Sequence, residues 1–187
     1  MSHSDETMLK GIGVSPGIVI SSARVLRSDI SQISTRVISS DKIEIELERF
    51  RSALQETRKQ ILHIRKQVAD VLDEEHARIF DAHMLVVEDQ LLIDDVEKSI
   101  TVEKINVEPI LQKIASSYAD KLAGLDDEYL SGRAVDIRDV TKRIISNLAD
   151  GIVENLHTID TPCILVSNDL LPSDTAGLDV NKVKAFI

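Results

Sequence analysis

A long stretch almost free of helix-breaking residues is the feature that most constrains how this chain can fold. Between residues 41 and 150 the only glycines are Gly124 and Gly132, and the only proline is Pro109. Apolar or small residues recur there at alternating spacings of three and four, which places them on one face of a long amphipathic helix. The residues on this face are Ile43, Leu47, Phe50, Leu54, Thr57, Ile61, Ile64, Val68 and Val71. The stretch therefore predicts a helical bundle.

Four helices are expected in the bundle. Their approximate ranges are 43–71, 74–99, 107–130 and 132–149, the second of which can break near Val87–Asp89. Asp41 and Glu44 have the spacing of a capping box, in a variant with Asp at the cap. Asn106 is expected to cap the third helix, where Pro109 is tolerated in the first turn. Gly151 is expected to end the fourth helix.

Strand-like runs of β-branched residues occur only near the two ends of the chain. Residues 9–28 contain two such runs around Ser15-Pro16-Gly17, which predicts two strands and a turn. The runs at 162–166 and 183–187 predict two further strands. Between them, Asp169–Ala176 predicts a capped turn that enters a short helix.

The order of these segments indicates an α+β protein in which one domain interrupts another. Residues 9–38 and 151–187 are predicted to be parts of one α/β domain, which is incomplete in this chain. Residues 39–150 are predicted to form an inserted all-α four-helix bundle, and we expect the terminal strands to meet in one sheet.

Composition excludes several classes of function. The formal net charge is -10 and the sequence pI is about 4.9, whereas nucleic acids and anionic membranes need a positive surface. The single cysteine, Cys163, excludes a disulfide framework, an iron–sulfur cluster and a cysteine-rich zinc site. No apolar run approaches the roughly 18 residues of a membrane span, and the polar N-terminus is unlike a signal peptide. We expect a cytoplasmic protein.

Charge is segregated within the predicted bundle. Residues 73–97 include nine acids, whereas 49–66 include six bases and one acid. One interpretation is that two solvated helix faces attract each other. The other is an acidic docking surface for a basic protein, in which charge raises the association rate. Leu85 lies among these acids at helical spacing. Because an apolar residue with an acidic rim suits a small basic partner, the docking interpretation is modestly favoured.

Other candidate sites have simpler interpretations. His76 and His83 are seven residues apart and share a helix face, but a zinc site prefers a spacing of four and a third ligand, so structural histidines are favoured. Cys163 lies in a strand pattern and is expected in a core. Gly11–Gly17 lacks the helix that follows a phosphate-binding loop, so we predict no cofactor here.

Several blocks of residues, in unbroken order from about Leu9 to Ile187, resemble one family. These blocks are Gly11–Ile18, Ala77–Asp89, Leu125–Leu130, Arg133–Val140 and Asp169–Ala176. They are similar to enzyme I, the family of phosphoenolpyruvate-protein phosphotransferases of the bacterial sugar phosphotransferase system.

The resemblance implies an α/β domain of the phosphohistidine type, interrupted by a helical domain that binds a histidine-containing phosphocarrier protein. Members of this family move phosphate from phosphoenolpyruvate to their own histidine and then to the carrier, for sugar uptake. The resemblance places that histidine in a Gly-Gly-x-x-Ser-His segment beyond Ile187. Phosphoenolpyruvate, magnesium and the homodimer contacts are implied only for the full-length protein. We therefore expect a fragment that docks the carrier and is inactive alone.

The resemblance also implies roles for individual residues. It assigns carrier binding to Glu74, Glu75, Leu85, Asp89 and Arg133. It makes Thr175 the hydroxyl that orients the active histidine. The family usually has threonine where this chain has Leu171, which affects the turn before Thr175.

Both polar assignments have structural alternatives. Arg133 can instead form a salt bridge at the start of its helix, with Asp136 or Asp127. Thr175 can be an ordinary turn hydroxyl. For the chain as a whole, the alternative is a non-enzymatic helical adaptor whose acidic face binds an unrelated basic protein.

Overall fold

The computed structural model describes residues 10–26, 33–148, 159–167, 170–176, 178–179 and 181–187. In chain order the elements are β1 (Ser22–Val25), α1 (Ile43–Val71), α2 (Glu74–Ala77), α3 (Ile79–Val87), α4 (Gln90–Glu103), α5 (Val107–Ala123), α6 (Glu128–Leu148), β2 (Cys163–Val166), α7 (Pro172–Thr175) and β3 (Val183–Phe186). Helices fill the middle of the chain and strands lie near its ends, so the predicted α+β class is confirmed.

The first helix follows its predicted apolar face. Phe50, Ile61 and Ile64 are buried on α1, and the buried Thr57 hydroxyl donates to the Ala53 carbonyl at 2.8 Å. This bond removes the cost of burying an unpaired hydroxyl. The predicted capping box is wrong, because Asp41 lies in a separate 3-10 turn, Ser40–Lys42, and does not occupy the cap position of α1.

The second predicted helix is three helices. The break near Val87–Asp89 is confirmed, because the Asp89 carboxylate accepts from the backbone N–H groups of Leu91 (2.9 Å) and Leu92 (3.1 Å) and thereby starts α4. A further break at Arg78, which periodicity did not indicate, separates α2 from α3.

The predicted boundary between the third and fourth helices is wrong. Gly124 ends α5, and the Asp127 carboxylate accepts from the Leu130 N–H at 3.0 Å, so residues 128–130 begin α6. Gly132 lies inside α6, where its cost is modest beside the packing of a long helix. The helix boundary is therefore set by the Asp127 cap, although the apolar pattern continues through it.

Asn106 precedes α5 as predicted, but its side chain does not cap the helix. Its Oδ1 accepts from the Arg36 N–H at 2.6 Å, and the Glu46 carboxylate accepts from the Val107 N–H at 2.8 Å. Pro109 occupies the first turn, as expected.

One continuous core holds the bundle together. Large side chains from α1, α3, α4, α5 and α6 are buried in it, including Phe50, Phe80, Ile100, Leu111 and Ile144. Burial of this amphipathic face, more than helix propensity, stabilises helices of this kind. Within the described residues, no helix is both long and apolar enough to cross a bilayer.

The strands form one parallel sheet in the order β1–β2–β3. Ser22 pairs with Cys163 on β2, and Cys163 pairs with Val183 on β3, so the expectation that the terminal strands meet is confirmed. Cys163 is buried in the small core beside this sheet, as expected. The other predicted strand before β1 is wrong, because residues 10–20 form no strand and do not pair with the sheet.

The expected helix end at Gly151 lies outside the described residues. The domain boundaries stay a prediction.

Candidate functional site

The residues assigned to carrier binding lie on neighbouring elements. Glu74 and Glu75 are on α2, Leu85 is on α3, Asp89 starts α4 and Arg133 is on α6. Helix α3 contacts both α2 and α6. The structure therefore brings one end of the predicted acidic helix beside the first turns of α6.

Leu85 is the apolar member of this group. Its side chain is 72% exposed, although the next residue, Val86, packs into the bundle. Leu85 shares a face of α3 with Asp81 and, one turn later, with Glu88. An exposed leucine between carboxylates agrees with the predicted apolar contact and acidic rim.

Much of the acidic charge is already paired within the bundle. Three arginines of α1 form ion pairs with acids on α3, just after α3 and on α4. The pairs are Arg65–Asp81 at 2.7 Å, Arg58–Glu88 at 2.6 Å and Arg51–Glu97 at 2.9 Å. The interpretation that the basic and acidic helices attract each other is therefore confirmed for these residues. Since a neighbouring cation offsets the field of a paired carboxylate, the unpaired acids attract another molecule more strongly than the paired ones.

Glu74 and Glu75 differ in this respect. The Glu74 carboxylate accepts from the Arg65 guanidinium at 3.1 Å. Glu75 is exposed and forms no ion pair with any described residue. Glu75 is therefore the more available charge of the two.

Asp89 has a structural role that its assignment did not include. Its carboxylate caps α4 through two backbone N–H groups. A cap of this kind typically stabilises a helix by about 1 kcal/mol. The sequence signal for this cap was an acidic residue placed directly before a run of apolar residues at helical spacing.

Arg133 lies between two partners on its own helix. Its Nη1 donates to Asp136 at 3.0 Å, and its Nη2 donates to the Tyr129 hydroxyl. The guanidinium carbon lies 4.6 Å from the centre of the Tyr129 ring, a cation–π contact. The hydrogen bonds that Arg133 donates to Tyr129 and then to Asp136 raise the pKa of Arg133. The salt-bridge alternative to Asp136 is thus present, whereas Asp127 caps α6.

The two histidines considered for zinc are in different environments. His76 is exposed, and its Nδ1 lies 2.7 Å from the Asp73 carboxylate, whose contact raises the pKa of His76. His83 is buried, and its Nε2 lies 3.3 Å from Asp136. In the part of the chain that the structure describes, no three His, Cys, Asp or Glu residues form a metal-binding group.

Thr175 closes α7. Its hydroxyl donates to the Pro172 carbonyl at 3.1 Å, which is the turn role given as the alternative. The neighbouring Asp174 carboxylate accepts from the Leu171 N–H at 3.2 Å and from Lys142 of α6 at 2.7 Å. Sequence reasoning missed the Lys142–Asp174 pair, because nothing in the sequence links residues so far apart.

Comparisons with known proteins match nearly the whole chain. The family model described as "PEP-utilising enzyme, N-terminal" matches residues 10–133. The phosphoenolpyruvate-protein phosphotransferase of Listeria monocytogenes is 41% identical over 180 residues, which are 96% of this chain and 31% of that protein. The protein of the same name from Haemophilus influenzae is 35% identical over 180 residues, with the same coverage. The chain thus spans about a third of the length of these relatives.

Solved structures have the same fold. An NMR solution structure of Enzyme I (nEIt) is 36% identical, with a TM-score of 0.78 over 96% of this chain and 72% of that one. The N-terminal domain of Enzyme 1 - Nitrogen is 23% identical, with a TM-score of 0.69 over 92% of this chain and 70% of that one, and supports the fold alone. With residues 10–133 matched, the chain belongs to the family of N-terminal regions of PEP-utilising enzymes.

Proposed function

We propose that this chain is the carrier-docking part of a phosphoenolpyruvate-protein phosphotransferase. Such a protein takes phosphate from phosphoenolpyruvate onto its own histidine and passes it to a histidine-containing phosphocarrier protein for sugar uptake in the cytoplasm. The names of the relatives and the match of the N-terminal family support this proposal. Phosphoenolpyruvate, magnesium and a homodimer belong to the whole protein, and we assign none of them to the described residues.

The exposed Leu85 carries the docking proposal. Protein interfaces place an apolar contact at the centre and charged groups at the rim. Leu85 is 72% exposed on α3, and Glu74 and Glu75 lie on the short helix α2 that directly precedes α3. In this proposal a small basic carrier covers Leu85 while its cations meet the acids of α2, of which Glu75 has no ion pair within the described residues.

The three acidic residues are proposed to contribute to docking in different ways. Glu75, which has no ion pair within the described residues, steers a basic partner and forms a new pair with it. Glu74 contributes less, since Arg65 already neutralises part of its charge. Asp89 acts mainly by starting α4 and holding the end of α3 in place.

Arg133 is suited to an anionic group. A guanidinium has five N–H donors, and Asp136 and Tyr129 use two of them. The other three can meet a phosphoryl oxygen or a carboxylate in a planar, two-pronged contact. Thr175 is proposed to orient the active histidine of the whole protein in its unphosphorylated state, by giving up its turn bond to Pro172.

The test is a calorimetric titration of this chain with the histidine phosphocarrier protein encoded in the same genome. Leu85→Lys is expected to weaken binding by about tenfold or more, because it places a cation at the centre of the interface. Glu75→Lys is expected to weaken binding several-fold and to reduce its dependence on salt. Glu74→Lys should have the smaller effect of the two glutamates.

A matched control is Glu48→Lys, which makes the same charge change on an exposed residue near the other end of α1. It should leave the affinity within about twofold of wild type, since only general charge is altered. Equal losses of affinity in Glu48→Lys and Glu75→Lys would mean that binding depends on the net charge of the chain and not on the position of Glu75. Absence of binding at low salt would contradict the proposal and favour the adaptor.

A further inference from the structure

A buried imidazole lies behind Arg133. His83 of α3 is 1% exposed, and its ring meets Phe80 edge-on with centroids 5.3 Å apart. Its Nε2 lies 3.3 Å from Asp136 Oδ1 and 3.9 Å from Asp139 Oδ2, both on α6. Nε2 is within hydrogen-bond distance of Asp136 but outside full hydrogen-bond geometry, so it faces this carboxylate without a well-aligned bond to any described residue. A leucine or phenylalanine would fill this space without burying a polar edge.

Asp136 links this imidazole to the surface. Its Oδ1 faces His83, and its Oδ2 accepts from Arg133 Nη1 at 3.0 Å. Burial alone would raise the pKa of Asp136, but His83 and Arg133 on its two sides together hold that pKa below its ordinary value. The carboxylate is thus ionised at neutral pH, and its two oxygens face different partners.

Arg133 gains a fixed orientation from this arrangement. Tyr129 stacks under the guanidinium from one turn earlier on α6, and Asp136 holds Nη1 from one turn later. Both of these partners move with α6. His83 is the member of the group that lies on α3, the helix that also carries Leu85. It therefore ties the rotamer of Asp136 to the helix that carries the proposed apolar contact.

We propose that His83 is a positioning residue for docking: by facing Asp136 from α3, it fixes the carboxylate that aims Arg133 at an anionic group of the partner. This inference rests on the proposed function, because it concerns the geometry of Arg133 at the carrier-docking surface. His83 itself touches no partner, since its side chain is buried. Its effect on binding passes through Asp136 and Arg133.

The experiment is a double-mutant cycle measured by calorimetric titration with the phosphocarrier protein. His83→Leu keeps the volume close to that of the imidazole and removes the polar edge, and it is expected to weaken binding about fivefold. His83→Gln, whose amide can place a donor near the position of Nε2, should restore binding to within about twofold. In an Arg133→Ala background, His83→Leu should cause no further loss, because the group it positions is gone.

A second readout does not depend on the partner. In the full chain, the Arg133 guanidinium should give a sharp NMR signal that broadens or shifts in His83→Leu and is recovered in His83→Gln. If His83→Leu does not fold, His83→Phe replaces it, since it also removes the polar edge, and it should show the same non-additivity with Arg133→Ala.

The possible outcomes separate this inference from the proposed function. Equal losses from His83→Leu with and without Arg133, or an unchanged Arg133 signal, would overturn the positioning role. If Arg133→Ala leaves carrier binding unchanged, the proposed docking role of Arg133 has failed. The positioning of Arg133 for docking then fails with it, whatever the NMR signal shows.

Discussion

The helical bundle and the terminal sheet are stabilised in different ways. The bundle buries large side chains from five helices in one continuous core. Among the described residues, the sheet has three strands of four residues each, and its core contains four buried residues: Ile159, Cys163, Leu165 and Val183. Helices pair their own backbone groups, whereas strands depend on neighbours that are distant in sequence.

The exposed residues show the same contrast. The sheet keeps Val25 and Phe186 more than half exposed, and the segment before β1 leaves Ile12, Val14 and Ile18 almost fully exposed. Parallel sheets are usually covered on both faces. The bundle should therefore be the more stable region, and the sheet the region that opens first.

Core truncation should separate the two regions most clearly. Phe80→Ala is expected to destabilise the bundle by about 3–5 kcal/mol, because it leaves a large cavity in the main core. Leu165→Ala should mainly release the amides of β2 and β3 to hydrogen exchange. The measurements are urea unfolding followed by helical circular dichroism, and exchange rates by NMR.

Leu85→Ala serves as the control for both substitutions, because it removes a similar apolar side chain from an exposed position and should change stability little. If Leu165→Ala lowered the helical unfolding midpoint as much as Phe80→Ala, bundle and sheet would be one cooperative unit. The contrast drawn above would then be wrong.

The ion pair between α6 and α7 tests how the regions are joined. The side chains of Lys142 and Asp174 are only 24% and 13% exposed, and Ala176 packs against the bundle core. Asp174→Asn should cost about 1–2 kcal/mol, between the values for surface and buried pairs, and should speed amide exchange at Thr175 and Ala176. Lys142→Met should do the same.

The matched control for this pair is Glu56→Gln, which breaks an exposed pair with Lys59 of 3.5 Å within α1 and should have no measurable effect. Unchanged exchange at Thr175 in Asp174→Asn would mean that apolar packing of Ala176 alone attaches α7 to the bundle.

The smallest effect concerns pH at the start of α2. The side-chain contact with Asp73 raises the pKa of His76 above its ordinary 6.5. The hydrogen bond from the His76 backbone N–H, followed by the contact with the His76 ring, lowers the pKa of Asp73 below 3.8. The stabilisation from charged His76 is therefore complete below pH 6.5 and is lost as pH rises through the raised pKa. That from Asp73 is present above pH 3.8 and is lost as pH falls through the lowered pKa.

The check is an NMR titration of the His76 ring in wild type and in Asp73→Asn. Asparagine keeps a capping acceptor but removes the charge, so the pKa of His76 should fall towards 6.5 while α2 stays formed. An identical His76 pKa in the two proteins would show that the Asp73 contact is absent in solution.

The sequence predicted the parts of the fold that depend on local periodicity. The buried face of α1 and the break before α4 follow from spacing and from the acid at Asp89. The predicted end of α5 was too late in the sequence. The apolar pattern continues past Ala123, and it gave no sign that Asp127 caps a new helix. The extra strand before β1 was wrong, because a strand needs a partner that its own sequence cannot specify.

In the candidate site, too, the sequence predicted contacts within one helix but not contacts between different elements. Spacing was enough to suggest Asp136 as a partner of Arg133, three residues away on one helix. The contact between His83 and Asp136 and the pair between Lys142 and Asp174 join residues on different elements, which only the packed chain brings together. The docking roles of Glu74, Glu75, Leu85 and Asp89 came from resemblance, and they stay predictions.

The pairing of β1 with β2 has a consequence for the order of folding. The Ser21 hydroxyl meets the Pro162 carbonyl at 2.9 Å, across 141 residues of chain. Closing so long a loop from an unfolded chain is entropically costly and slow. The helices between them need mainly contacts with sequence neighbours and the next helix, so they can assemble first and bring the strands close together. The sheet should then form last, at a rate set by the short segments that flank the folded bundle and not by the length of the bundle itself.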